Sequence, residues 1–188
     1  MAFKFQYKYK PSTRVFVVNV FYQIKKRMAP KTVIACCHTL LEKNLTISFA
    51  ESVTTGKLIY DFSSVPDCGT VIQGSVVCYD ASVKKNLFGI GEEIIEKYTP
   101  ESQEVTQLLA DGLKKLIPAD VIVAVTGLAS PGGSESPEKP VGTIFVNGYI
   151  KDKAWMTKLY FEGNPDEIIS QTSETIATIL LDELTKLR

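Results

Sequence analysis

The architecture of the chain turns on VIVAVTGLASPGG at 121–133. Its first seven residues are β-branched or small and almost wholly apolar, the pattern of a strand buried on both faces in the centre of a sheet. What precedes it alternates helical and strand periodicity. Val33, Ile34, Cys37, Leu40 and Leu41 predict a helix over 32–43, and alternation at 45–49 predicts a strand. A polar turn, AESVTTG at 50–56, leads to a second helix marked by Leu58, Ile59 and Phe62 that stops before Pro66. The valine- and isoleucine-rich run 70–78 reads as a strand, and helical stretches follow at 82–88 and 102–116, the second announced by Thr99, Pro100 and Glu101. Downstream, GTIFVNGYI at 142–150 and AWMTKLYF at 154–161 are close enough to form a hairpin. Asn164, Pro165, Asp166 and Glu167 spell a helix start with a capping box, and Ile168, Ile169, Ile176, Ile179, Leu180 and Leu184 give that helix its apolar stripe. Strands alternating with helices predict an α/β layered domain, and the closing hairpin makes its sheet mixed.

Composition narrows the partners. Lys plus Arg and Asp plus Glu stand at 21 each in 188 residues, so the chain lacks the net basic surface that nucleic acid or anionic lipid requires. An apolar share of 45% suits one globular domain. The charge is uneven: seven basic residues and no acid occupy 1–27, a basic extension ahead of a domain at 28–188. The apolar run within it is interrupted by Asn19 and Gln23 and is too short to span a bilayer. A poorly ordered or strand-forming extension is the first reading of this leader, organelle targeting the second, and Met28 is a candidate start of the domain proper. Cys36, Cys37, Cys68 and Cys78 have neither zinc-site spacing nor the density of a disulfide scaffold, which predicts reduced thiols and a cytoplasmic setting. His38, the sole histidine, lies in a helical stretch, and histidine triads and multi-histidine metal sites are effectively excluded.

Two polar loops follow predicted strands, where open α/β sheets bind ligands. In the first, Ser52, Thr54, Thr55 and Gly56 precede a helix whose free N–H groups would favour a phosphate or carboxylate, although Ser and Thr there also serve as simple caps. In the second, 126–143, Gly127, Gly132 and Gly133 allow close backbone approach and Lys139 adds a positive charge. It matches neither a phosphate-binding loop nor a dinucleotide fingerprint, and a flexible connector is the alternative.

Taken in order, these segments resemble the C-terminal domain of the CinA family, the competence/damage-inducible proteins whose active members are nicotinamide-nucleotide amidases. AESVTTG at 50–56 resembles the family's AESCTGG, and PDCGTVIQGSVVCYDASVKK at 66–85 resembles PGSSxxFxGGxVxYSNxAK with Gly74, Tyr79 and Lys84 in register. SQEVTQLLADG at 102–112 and TGLASPGG at 126–133 each have a counterpart, and KPVGT at 139–143 is matched unchanged. The resemblance covers roughly 32 to the C-terminus. It implies a three-layer α/β/α sandwich with a mixed, mostly parallel sheet, and a pocket free of metal and cofactor. That pocket would hydrolyse the carboxamide of nicotinamide mononucleotide to the nicotinate nucleotide and ammonia. It places Glu51, Ser52, Thr54, Gly56, Gly127, Gly132, Gly133 and Lys139 around the substrate, in a protein that could assemble as a homo-oligomer through a sheet edge or terminal helix.

The same resemblance maps the family's base onto Lys84, and a tyrosine and a threonine of its pocket onto Tyr79 and Thr126. Its attacking serine, the second of PGSS, falls on Gly69, the first on Cys68, and a later arginine falls near Pro165. Losing a nucleophile from a cooperating set costs on the order of 10⁴ to 10⁶ in turnover. Cys68, Thr70, or Ser52 or Ser75 from a neighbouring element could supply the attacking group; the alternatives are a packed cysteine, a strand threonine and an inactive relative that keeps a nucleotide-binding or interaction pocket.

Overall fold

A computed structural model describes residues 29–187. The basic leader and Met28 lie outside them, and with them the expectations about targeting and the chain start. Helix α1 (Lys31–Glu42) ends in a Schellman turn: Asn44 takes a left-handed φ of 51°, its N–H donates to Leu41 O at 3.1 Å, and Leu45 N–H donates to Leu40 O at 2.9 Å. Leu45 therefore closes the helix, and strand β1 occupies Ile47–Glu51, two residues later than its alternation predicts.

Helix α2 (Lys57–Ser63) leads into a 3₁₀ turn at Cys68–Thr70, and β2 covers Ile72–Val77. The β-branched run had extended this strand too early: Thr70 is exposed in the turn, its hydroxyl donating to Asp67 O at 2.8 Å. Helix α3 (Ala81–Phe88) is followed by α4 (Glu92–Tyr98), a short helix that periodicity missed because none of its residues is fully buried. Helix α5 (Gln103–Leu116) and strand β3 (Val121–Gly127) come next, then the hairpin of β4 (Thr143–Ile150) and β5 (Lys153–Tyr160), and finally α6 (Pro165–Thr185).

The five strands form one sheet in the order β2-β1-β3-β4-β5. β1 pairs parallel with β2 and β3, while the β3–β4 and β4–β5 pairs are antiparallel, so four strands share a direction and β4 alone opposes them. Alternation along the central strands sorts the core into two layers. Ile47, Phe49, Val121, Val123 and Val125 pack with Val33, Leu40, Phe62, Ile176 and Leu180 of α1, α2 and α6. Ala50, Ile122 and Ala124 pack with Val105, Leu109 and Leu113 of α5, and α3 and α4 join this side. This is the three-layer α/β/α sandwich. Its carboxyl-terminal sheet edge gathers the 52–56 turn, the 78–80 turn, the 128–142 loop and the start of α6. Among the described residues no helix is long and apolar enough to cross a membrane.

Candidate active site

Lys84 lies on α3 but turns inward and is fully buried. Its ammonium donates to three oxygens: Cys78 O at 2.8 Å, Tyr79 O at 3.1 Å and Ser52 Oγ at 3.2 Å. Burial holds its pKa below the ordinary lysine value of 10.5, against the pull of the Cys78 thiol and the Glu101 and Asp80 carboxyls, which favour the charged form. The two carbonyls fix two of the three nitrogen directions, and the third points at a hydroxyl. A neutral amine in this position keeps both carbonyl bonds and turns its lone pair to Ser52.

Ser52 follows directly on β1, anchored by its N–H to Val125 O at 3.0 Å, and it is 4% exposed. It lines a cavity of about 370 Å³ together with Val53, Thr55, Tyr79, Glu101 and the glycine loop from Gly127 to Gly133, closed on the far side by Pro165 and Ile169. A larger hollow of about 650 Å³ between α3, α4 and α5 contains none of these groups.

The neighbouring residue does a different job. Glu51 is fully buried, and its two carboxylate oxygens accept from Thr54 Oγ1, Ser75 Oγ and the N–H groups of Gly56, Leu58 and Ile59, all between 2.9 and 3.1 Å. The start of α2, expected to offer free amides to a ligand, is thus closed by the carboxylate of the preceding strand. Glu51, Thr54 and Gly56 build the turn; Ser52 and Thr55 face the cavity.

Several expected positions move. Cys68 is disulfide-bonded to Cys37, with their Cα atoms 5.7 Å apart, and both pack in the α1–α6 layer. It therefore has no free thiol to attack with, and two of the four cysteines are paired rather than reduced; Cys36 and Cys78 are free and buried. Thr70, in its exposed turn, is tied to Asp67. Ser75 is spent on Glu51. Thr126 is fully buried and its hydroxyl sits 2.7 Å from that of Thr106, whose own proton goes to Ser102 O. Thr126 stands behind the cavity wall made by Gly127 and does not line it. Tyr79 is 67% exposed and lines the cavity, while its carbonyl holds Lys84. Gly132 and Gly133 line the cavity. Lys139 does not: burial lowers its pKa, and it donates to Thr99 Oγ1, Ser134 Oγ and Glu101 O at 2.6 to 2.9 Å, pinning the loop to the α4–α5 connection.

Residues 31–184 match the family model of the CinA C-terminal domain. The chain belongs to that family. Among curated CinA-like proteins it is 39% identical over 130 residues to one from Petrotoga mobilis, covering 69% of this chain and 32% of that protein. With one from Thermotoga maritima it shares 40% identity over 108 residues, 57% of this chain and 26% of that protein. The chain thus spans about a third or less of the length of the curated relatives it matches. Two solved structures share the fold. The CinA superfamily protein KP700603 from Klebsiella pneumoniae matches with a TM-score of 0.78 and 21% identity over 84% of this chain and 98% of that one. The competence/damage inducible protein CihA from Agrobacterium tumefaciens matches at 0.76 and 25% over 85% and 99%.

Of the two positions where the motif resemblance finds the family's serine and arginine replaced, Gly69 lies in an exposed turn, and the neighbourhood of Pro165 forms part of the cavity wall. Sequence reading had put Ser52 among the substrate contacts and only secondarily among attacking groups. The signal that favours it is parity: along β1, positions 48, 50 and 52 share one face of the strand, and Ser48 and Ala50 on that face turn toward α5. Thr55 is visible in sequence only as a member of the first polar loop, and Glu101 and Ile169 carry no ligand signal, since the loops and the α6 start meet there only in three dimensions.

Proposed function

We propose that this CinA-type domain is a primary-carboxamide hydrolase of the nicotinamide class in which Ser52 is the nucleophile and Lys84 its base. The observation that carries the reading is the 3.2 Å contact between Lys84 Nζ and Ser52 Oγ, with the two other nitrogen directions held by main-chain carbonyls. Neutral Lys84 takes the Ser52 proton as Oγ bonds to the amide carbon. The resulting ammonium hands that proton to the departing nitrogen, which leaves as ammonia when the C–N bond breaks. Water then attacks the Ser52 ester, giving up a proton to Lys84; the C–Oγ bond breaks, Lys84 returns that proton to Ser52 Oγ, and the acid leaves and ionises to the carboxylate. The N–H groups of Val53 and Thr54, which directly follow the serine, have no acceptor among the described residues and are the donors nearest in sequence to the developing oxyanion. Glu51 fixes this turn by its five hydrogen bonds, so the serine is held without a ligand.

The test is ammonia release from nicotinamide mononucleotide and from simpler pyridine carboxamides. Ser52→Ala and Lys84→Met should each lower turnover by roughly 10⁴-fold or more, whereas Cys68→Ser and Thr70→Val should leave it within a few fold. Full activity in Ser52→Ala overturns the assignment. Gly69 and Pro165 favour a second reading, a ligand-holding module without turnover; binding with no ammonia from any carboxamide would select it.

A further inference from the structure

Resting on the hydrolase reading of the same cavity, we infer that its substrate lacks a phosphate: a cationic N-ribosyl pyridinium carboxamide at the nucleoside level, with Glu101 beside the positive ring. Three places around the cavity where backbone amides could meet a phosphate each carry a carboxylate of the chain itself, which leaves the Val53 and Thr54 amides, at the serine turn, without an acceptor among the described residues. Glu51 occupies the start of α2. Glu135 accepts from Gly132 N–H at 2.8 Å in the glycine loop. At the start of α6, Glu167 Oε2 accepts from Asn164 N–H at 2.8 Å while Asn164 Oδ1 accepts from Glu167 N–H at 3.1 Å. Anion binding at helix starts and glycine loops depends on such N–H groups being free.

The side chains agree. Among the described residues that line the cavity there is no lysine or arginine, and the one charged group is Glu101. Two amines stand near Glu101, but neither lines the space. Lys84 has its donors on Cys78, Tyr79 and Ser52, and Lys139 has its donors on Thr99, Glu101 and Ser134. Pro165 presents an apolar ring to the same cavity. Asp166, next to it, lines the adjoining hollow with Thr55, Ile169 and Lys57, whose ammonium is paired with Asp61. A dianionic phosphate would enter a cavity with an acid on its wall and carboxylates on three of its amide clusters; a pyridinium cation meets a carboxylate.

The experiment compares nicotinamide riboside with nicotinamide mononucleotide by calorimetric titration of the full chain carrying Ser52→Ala, so that binding is read without turnover. The riboside should bind at least about tenfold more tightly, and adding Glu101→Gln, which keeps an acceptor for Ser134, should cut that advantage by about fivefold. Equal or tighter binding of the mononucleotide, failure of both to bind, or a preference unchanged by Glu101→Gln would overturn the inference. The wild-type ammonia assay separates it from the hydrolase reading. Faster turnover of the mononucleotide sinks the inference and leaves the hydrolase standing, whereas selective riboside binding with no ammonia sinks the hydrolase and leaves the selectivity.

Discussion

Lys84 is buried where a charge is costly, so its protonation sets the pH response of any chemistry it performs. Catalysis needs the neutral amine. The rate should therefore rise with pH and level off above the lysine's pKa, with the midpoint below 10.5 because desolvation lowers it. Asp80 is one of the acids that favour the charged form, and it also caps α3 by accepting from Ser82 N–H at 2.7 Å. Asp80→Asn keeps the cap and removes the charge, so the rising limb should move to lower pH; a pH–rate profile reads it, and a shift to higher pH would refute the role given to Lys84. Glu51 invites a stability test instead. Glu51→Gln sets two N–H donors among five groups that need acceptors, and should cost about 3 kcal/mol in urea unfolding.

Elements whose making is local were readable in advance. Helix α6 begins as its letters say, with Asn164 and Glu167 exchanging hydrogen bonds and Pro165 in the first turn, and Asn164→Ala should lower stability by about 1 kcal/mol in the same unfolding experiment. Strand β3 and the β4–β5 hairpin lie where their apolar and alternating patterns put them. What was not legible depended on distant partners. Seven-residue α4 offers only half-buried Ile94 and Ile95 to the α5 layer, too short a stripe to register as a helix. The amides of α2 read as open because their acceptor sits on the strand before them. Cys68 read as a free thiol because its partner is 31 positions away. Of the candidate site, Lys84, Ser52, Tyr79 and the glycine loop were visible as residues, but which hydroxyl meets the amine was settled only by packing.

At the scale of the molecule the sheet divides two duties. The Cys37–Cys68 bond lies in the α1–α6 layer, whereas Lys84 belongs to the α3–α5 side. Breaking it by reduction, or by Cys37→Ser with Cys68→Ser, should lower stability by about 3–4 kcal/mol while leaving ammonia release unchanged. Cys36, pushed to about 12 by burial, should resist alkylation at pH 8 in the folded chain and react once unfolded, a contrast mass spectrometry can score. Because strand neighbours face opposite ways, Glu51 seats a helix on one side of the sheet and Ser52 meets the lysine on the other. A slip of one residue in β1 would, depending on its direction, present either Glu51 to the amine or Ser52 to the three amides that Glu51 now serves. The parallel ladders that clamp β1 on both edges are therefore what holds the carboxylate and the hydroxyl each to its own side of the sheet.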